Sequence, residues 1–369
     1  MSGTLSVRRA EARVVSVPVS PRIKALQREL PSVSMVLLRL EDDGGTPGYS
    51  CLWTLELSET RLLVESLRFV APVVLSMPGA TIDEIDAAIL RHINFLGLKG
   101  VTVFGLSAFD MALCDIASRR KSEGIGEELG RAHDQLLVYW SGLYAGASEA
   151  ELESEVAEHL ERGFQAFKMR VGHADPADDL QRVAFVRSLL PAKCWLALDA
   201  FQAWSPDEAI RFAAKAADYG VVWLEDPVVH NDYAALARVI EGSAIPIATG
   251  ENEYLPEGFA QLFSLGPRYL LADLQRAGGI SGWRRISEDA AREGIVLTSH
   301  LYPHIALQLM SAADSPGPLE FVTWWNPLMS YELSIKRGMV QVPDVVGTGL
   351  DLDSRAVDYF ALSPWQSLW

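Results

Sequence analysis

Short apolar runs return along this chain at a steady pitch, and a polar or charged residue closes most of them. From about residue 137 they fall near 137–141, 165–170, 195–199, 221–225, 245–249, 269–273, 295–299 and 319–323. Their length suits buried strands. Helical periodicity fills most of the gaps, at 150–163, 176–190, 206–219, 231–241 and 281–293. Repeated strand–helix units demand parallel pairing through right-handed crossovers. Eight such strands predict a barrel closed on itself, with its site at the carboxyl ends of the strands. A doubly wound open sheet competes, but it would place its ligand beside a Gly-rich turn at one switch point. The Gly-rich candidate, Ala277-Gly-Gly-Ile-Ser-Gly282, matches neither phosphate fingerprint, and the barrel is preferred.

Residues 1–130 follow another pattern. Val14–Pro18 and Ser34–Leu40 alternate as strands, with a turn over 42–48. Residues 59–74 and 82–94 have helical spacing, and Gly105–Arg120 reads as an amphipathic helix. The pattern predicts an α+β block over 1–130, a barrel over 131–345, and a segment, 346–369, that returns to the first block.

Composition narrows the partners. The chain has 369 residues, 49% hydrophobic, and a formal charge of −16, which speaks against nucleic acid and anionic membranes. Cys51, Cys114 and Cys194 are few, odd in number and without metal-ligand spacing, which fits a reducing compartment. The N-terminus lacks an apolar core of signal length, and no apolar run approaches the roughly 20 residues of a membrane span. A cytoplasmic protein is expected.

The ends of the barrel strands hold the chemistry. Asp199, Glu225 and Glu251 close three successive apolar runs at a constant step of 26 residues. A carboxylate ending a buried strand is costly unless hydrogen-bonded, paired or bound to metal. Three converging at one rim suit a hard cation such as Mg²⁺, held by oxygen ligands. The second strand ends in Lys168-Met-Arg170, whose cations share a face by alternation. Asp273, His300 and Glu320 end later strands, and Ser141 ends the first. Each alone has a bland explanation: an ion pair for Lys168, a rim histidine for His300, packing for Trp324 and Trp325. His300 and His304 have a helical ligand step, but Pro303 between them argues against a regular helix there. Charges on seven consecutive strand ends are hard to explain by packing, because buried charges cost several kcal/mol each unless matched.

This layout, Lys168-Met-Arg170, Asp199, Trp223-Leu-Glu225-Asp-Pro227, Gly250-Glu251-Asn, Asp273, His300 and Glu320, resembles the mandelate racemase subgroup of the enolase superfamily. The likeness spans nearly the whole chain. It implies a modified TIM barrel, (β/α)7β, with an N-terminal α+β capping domain whose loops set specificity. It implies one Mg²⁺ per subunit on Asp199, Glu225 and Glu251, chelating a small carboxylate substrate. It also implies that His300 is a general base oriented by Asp273, and that Glu320 is a protonated acid donating to the substrate carboxylate. Homo-oligomers, from dimer to octamer, are common in the subgroup.

Two departures bear on the reaction. Many relatives have lysine where Arg170 stands and use it as a second base; guanidinium stays protonated and cannot. Lys168 could replace it only with a depressed pKa, and a neighbouring arginine pushes that way. One base favours dehydration of a sugar or hydroxy acid over racemisation; a silent carboxylate-binding relative is a third possibility. Phe201 stands where relatives usually place asparagine; pointing inward, it would suit an apolar substituent and favour the racemase. Ser141 could contact the substrate carboxylate. Arg22, Lys24 and Arg28 could meet a distal carboxylate or form a solvated basic segment, and Trp53 could line the pocket or pack.

Overall fold

The computed structural model describes residues 3–25 and 28–369, and the Arg28 side chain lies outside what is described. The N-terminal sheet is built from β1 (Val7–Ala25), β2 (Arg28–Asp42) and β3 (Pro47–Thr54), paired antiparallel in that order. The turn expected over 42–48 is held by Asp42, whose carboxylate accepts the Thr46 N–H at 2.7 Å. On this sheet pack helices α1 (Thr60–Leu75) and α3 (Val101–Lys121), and α2 (Ile82–Ile93) packs against both helices.

The expected amphipathic character of α3 does not hold. Apolar and small residues surround it on all sides, from Val103 to Ile116, so it is a central helix wrapped by other elements. By length and composition alone it is apolar enough to cross a membrane, contrary to the expectation that no run approaches that length, but a buried core helix has the same character. Most of that stretch, 78%, is buried inside the protein. Two of its carboxylates fasten other segments: Asp110 accepts N–H bonds from Ile280 and Ser281, and Asp115 from Tyr49 and Thr348. The Gly-rich turn has its explanation here, since a Cβ on Gly279 would lie 2.2 Å from the Asp110 carboxylate. It is a close-packing device for a helix entry.

The barrel strands run in chain order: β4 (Gln135–Gly142), β5 (Ala166–Arg170), β6 (Trp195–Asp199), β7 (Val221–Glu225), β8 (Ile247–Thr249), β9 (Tyr269–Asp273), β10 (Val296–His300) and β11 (Leu319–Phe321). All pair parallel from β4 to β10, and β11 returns to β4 through Leu319–Val138 and Glu320–Tyr139. A Leu297–Pro316 bridge joins β10 to the approach of β11 and closes the cylinder. Strand β8 begins later than the expected 245, after Pro246, which has no N–H for the ladder. The helix Pro303–Ser311 was not expected; Pro303 occupies its first turn, where the missing N–H costs nothing.

Two-residue alternation sorts the barrel interior into layers. The lower layer is Tyr139, Ala166, Ala197, Trp223, Ala248 and Leu271, a separate apolar cluster of large and small residues inside the cylinder. Two residues further along the same strands stand Ser141, Lys168, Asp199, Glu225 and Asp273. A dry floor therefore lies beneath a charged mouth. Strand β12 (Gln366–Ser367) completes the N-terminal sheet by pairing with β1 at Ala12 and Glu11.

Candidate active site

Ladder register puts the acids side by side. Arg170 is opposite Asp199, Asp199 opposite Glu225, and Asp273 opposite His300. Glu251 follows β8 on a turn where Gly250 has φ +119°, and a Cβ there would meet the Leu271 carbonyl at 2.9 Å. Ligand oxygens of Asp199, Glu225 and Glu251 all lie within 4.8 Å of one another. Burial and mutual repulsion raise the pKa of Asp199 and push that of Glu225 well up. An all-oxygen, crowded, anionic set of this kind fits a hard divalent cation, which would relieve the repulsion.

Lys168 is wholly buried. Its ammonium lies 2.7 Å from Glu225 Oε1, 2.9 Å from Glu320 Oε1 and 3.9 Å from Asp199, over the Tyr139 ring. Burial favours the neutral amine, but Glu225 and Glu320 more than offset it and hold its pKa well above the ordinary value. The depression considered from sequence does not occur. Arg170 Nε lies 3.4 Å from Asp199, its Nη1 donates to Ser141 Oγ at 2.9 Å, and its plane covers the Tyr144 ring. Its pKa is also raised, against burial, chiefly by Asp199.

His300 Nδ1 is 2.6 Å from Asp273 Oδ2, and Nε2 is 3.2 Å from Glu251 Oε2. Burial would lower its pKa; Glu251 and Asp273 outweigh it and raise the imidazole to about 9. Asp273 is fixed in turn by Arg276 at 3.3 Å and by the Gln275 N–H at 2.9 Å.

Glu320 departs from the protonated acid that the resemblance implied. Oε1 accepts from Ser141 at 2.5 Å and faces Lys168, while Oε2 accepts the Leu301 N–H at 2.7 Å. Burial opposes ionisation, but Lys168, His300 and Arg170 hold its pKa down to about 2. Ser141, buried, is engaged as the link between Arg170 and Glu320.

Phe201 is the second correction. It lies in a left-handed turn, φ 48°, its N–H bonded to Asp199 Oδ1, and the residue is 69% exposed. It does not point into the barrel. Arg22 and Lys24 are paired with Glu29 and Glu151. His304 is buried against Tyr331, away from the His300 ion pairs.

Several contributors gave little signal in sequence. Asn252 bridges Glu251 Oε1 and Asp226 Oδ2; Asp226, pushed by burial to about 7, also accepts from Thr249. The neighbouring Glu-Asp-Pro and Gly-Glu-Asn triplets were the available clue. Trp53 from β3 reaches over the mouth, with ring centroids 6.2 Å from His300 and 5.5 Å from Trp324. Its indole nitrogen is buried with no hydrogen-bond partner among the described residues.

Comparison with known proteins places this geometry. Residues 151–357 match the family model described as enolase C-terminal domain-like. The chain is 27% identical to an L-talarate/galactarate dehydratase of Salmonella typhimurium, covering 93% of this chain and 87% of that protein. It is 29% identical to a D-galactarolactone cycloisomerase of Agrobacterium fabrum, covering 89% and 91%. An enolase from Bradyrhizobium, crystallised with magnesium and mandelic acid, superposes with a TM-score of 0.92 at 27% identity, covering 98% of this chain and 100% of that one.

Proposed function

From the premise that this chain belongs to the enolase C-terminal domain-like family, we propose that it removes the proton α to the carboxylate of a small substrate and dehydrates a sugar or hydroxy acid. The crowding of Asp199, Glu225 and Glu251 beside the His300–Asp273 pair is the observation that supports it most directly. Asp199, Glu225 and Glu251 would hold Mg²⁺, an ion present in the similar Bradyrhizobium structure, and it would supply positive charge against the substrate carboxylate.

His300, in its neutral form, takes the α-proton through Nε2, while Asp273 fixes the tautomer and steadies the imidazolium. Lys168 and Arg170 place fixed positive charge where the enediolate gathers negative charge. His300 then returns the proton to the departing hydroxyl on the same face, so that water leaves. Glu320, ionised, keeps Lys168 charged and orients Ser141. Racemisation needs a second base on the opposite face. The mandelic acid complex of the 27% identical relative favours it, but the ion pairs of Lys168 and Arg170 weigh against it.

Residues 1–130 with 346–369 are proposed as the cap over a barrel of 131–345, and a homo-oligomer in the cytoplasm belongs to the same proposal. Exposed Phe95, Leu96 and Leu98 support a partner surface on the cap. The test of function is a library of sugar and hydroxy acids assayed for keto-acid product and for α-deuterium exchange. The expected result is 2-keto-3-deoxy product, abolished by chelator, restored by Mg²⁺, and lowered about 10⁴-fold in His300→Asn. Exchange into both configurations without keto acid would establish the racemase instead, and no turnover of any member would leave only a binding protein.

A further inference from the structure

We infer that Gln275 is a positioning residue that registers the cap on the general base. It rests on the function proposed above, and it concerns a residue that touches neither the carboxylate triad nor the imidazole. Gln275 is 2% exposed and follows Asp273 by two residues on a single helical turn, Leu274–Ala277. Its backbone N–H fixes Asp273 Oδ1 at 2.9 Å, the oxygen that does not face His300. Its side-chain oxygen accepts twice, from the Trp53 N–H of β3 at 3.1 Å and from the Tyr302 hydroxyl at 3.0 Å. Both acceptor directions of one carbonyl are thus filled, one from the cap and one from the segment just after His300.

That segment needs holding. Leu301 and Tyr302 have φ of 55° and 50°, left-handed conformations disfavoured for residues with a Cβ. Leu301 is restrained by Glu320, and the single Tyr302 hydroxyl proton is shared between Gln275 Oε1 and the Cys51 carbonyl of β3, each at 3.0 Å. Trp53, held by the same Gln275 oxygen, is the residue whose ring approaches His300. One buried residue therefore holds the orienting carboxylate through its backbone N–H, and the cap wall and the segment after the base through its side-chain oxygen. A base displaced by about 1 Å can lose ~100-fold in rate.

The experiment compares Gln275→Met, Tyr302→Phe and the double variant with the Mg²⁺-loaded wild type. For Gln275→Met the expected result is a kcat lower by about 10- to 100-fold with KM changed less than about threefold. Tyr302→Phe falls in the same direction by less, and the double variant is no worse than Gln275→Met, because both act through one junction. A second readout is independent of turnover. The proton on His300 Nδ1, 2.6 Å from Asp273, gives a downfield resonance in wild type that moves upfield or broadens in Gln275→Met. An unchanged resonance with unchanged kcat, or a drop in thermal stability alone, overturns the inference. Multiplying effects in the double variant also overturn it. If no substrate is turned over by wild type, the proposed function fails, and the resonance alone decides whether Gln275 positions His300.

Discussion

Two buried carboxylate sites of this protein, one on α3 and one at the barrel mouth, differ in their surroundings. On α3, Asp115 accepts N–H bonds from Tyr49 and Thr348 and a charged bond from Arg119 at 2.7 Å. Every partner there is a donor. At the barrel mouth, Asp199, Glu225 and Glu251 turn ligand oxygens toward one another within 4.8 Å, and two cations stand at the side. The first arrangement is complete in itself. The second keeps three like charges together over an apolar floor, a cost that a bound cation would offset.

Substitutions can break that comparison. Asp115→Ala strands two N–H groups and a guanidinium, so a loss of about 3–5 kcal/mol in urea unfolding is expected, with the folded fraction still active. Glu251→Gln acts in the opposite sense. Calorimetric titration should show Mg²⁺ affinity down by ~100-fold, while metal-free stability barely changes because repulsion is relieved. An equal loss of stability in both would erase the distinction between the regions.

Acidity sharpens it further. His300 must be neutral to accept a proton, and its surroundings raise it to about 9, so kcat/KM should climb about tenfold per pH unit below that range and level off above it. Mg²⁺ on Glu251 would offset part of that carboxylate's charge and move the midpoint downward. For stability the sign is reversed: a raised imidazole stabilises fully below its unfolded value and loses that contribution as pH rises through about 9. The smallest effect belongs to Phe201→Ala. With its ring in solvent, kcat/KM should change less than about twofold; a larger change would bring the ring back into the cavity.

Much of the barrel mouth was legible because strand alternation is rigid: an acid two residues beyond a buried Trp223 or Ala197 has to face inward. What escaped depends on features without periodicity. The outward turn of Phe201 follows from a left-handed backbone that no neighbouring glycine announces. The ionised state of Glu320 follows from donors on three other strands or loops, Ser141, Lys168 and Leu301. Helix α3 departs from the amphipathic reading because its carboxylates Asp110 and Asp115 are buried anchors for other segments. Gln275 and Trp53 meet from positions 222 residues apart, beyond any local signal.

The small closing strand has a bearing on how the molecule is made. Gln366 pairs with Ala12 and Ser367 with Glu11, and the N–H groups of Leu362 and Leu368 donate to the Val14 and Ala10 carbonyls. During synthesis the Val7–Ala25 strand is made before the cylinder, yet its outer edge waits for a partner that follows the cylinder in the chain. The lid over the catalytic cavity thus reaches its finished form only after the cylinder beneath it has been translated.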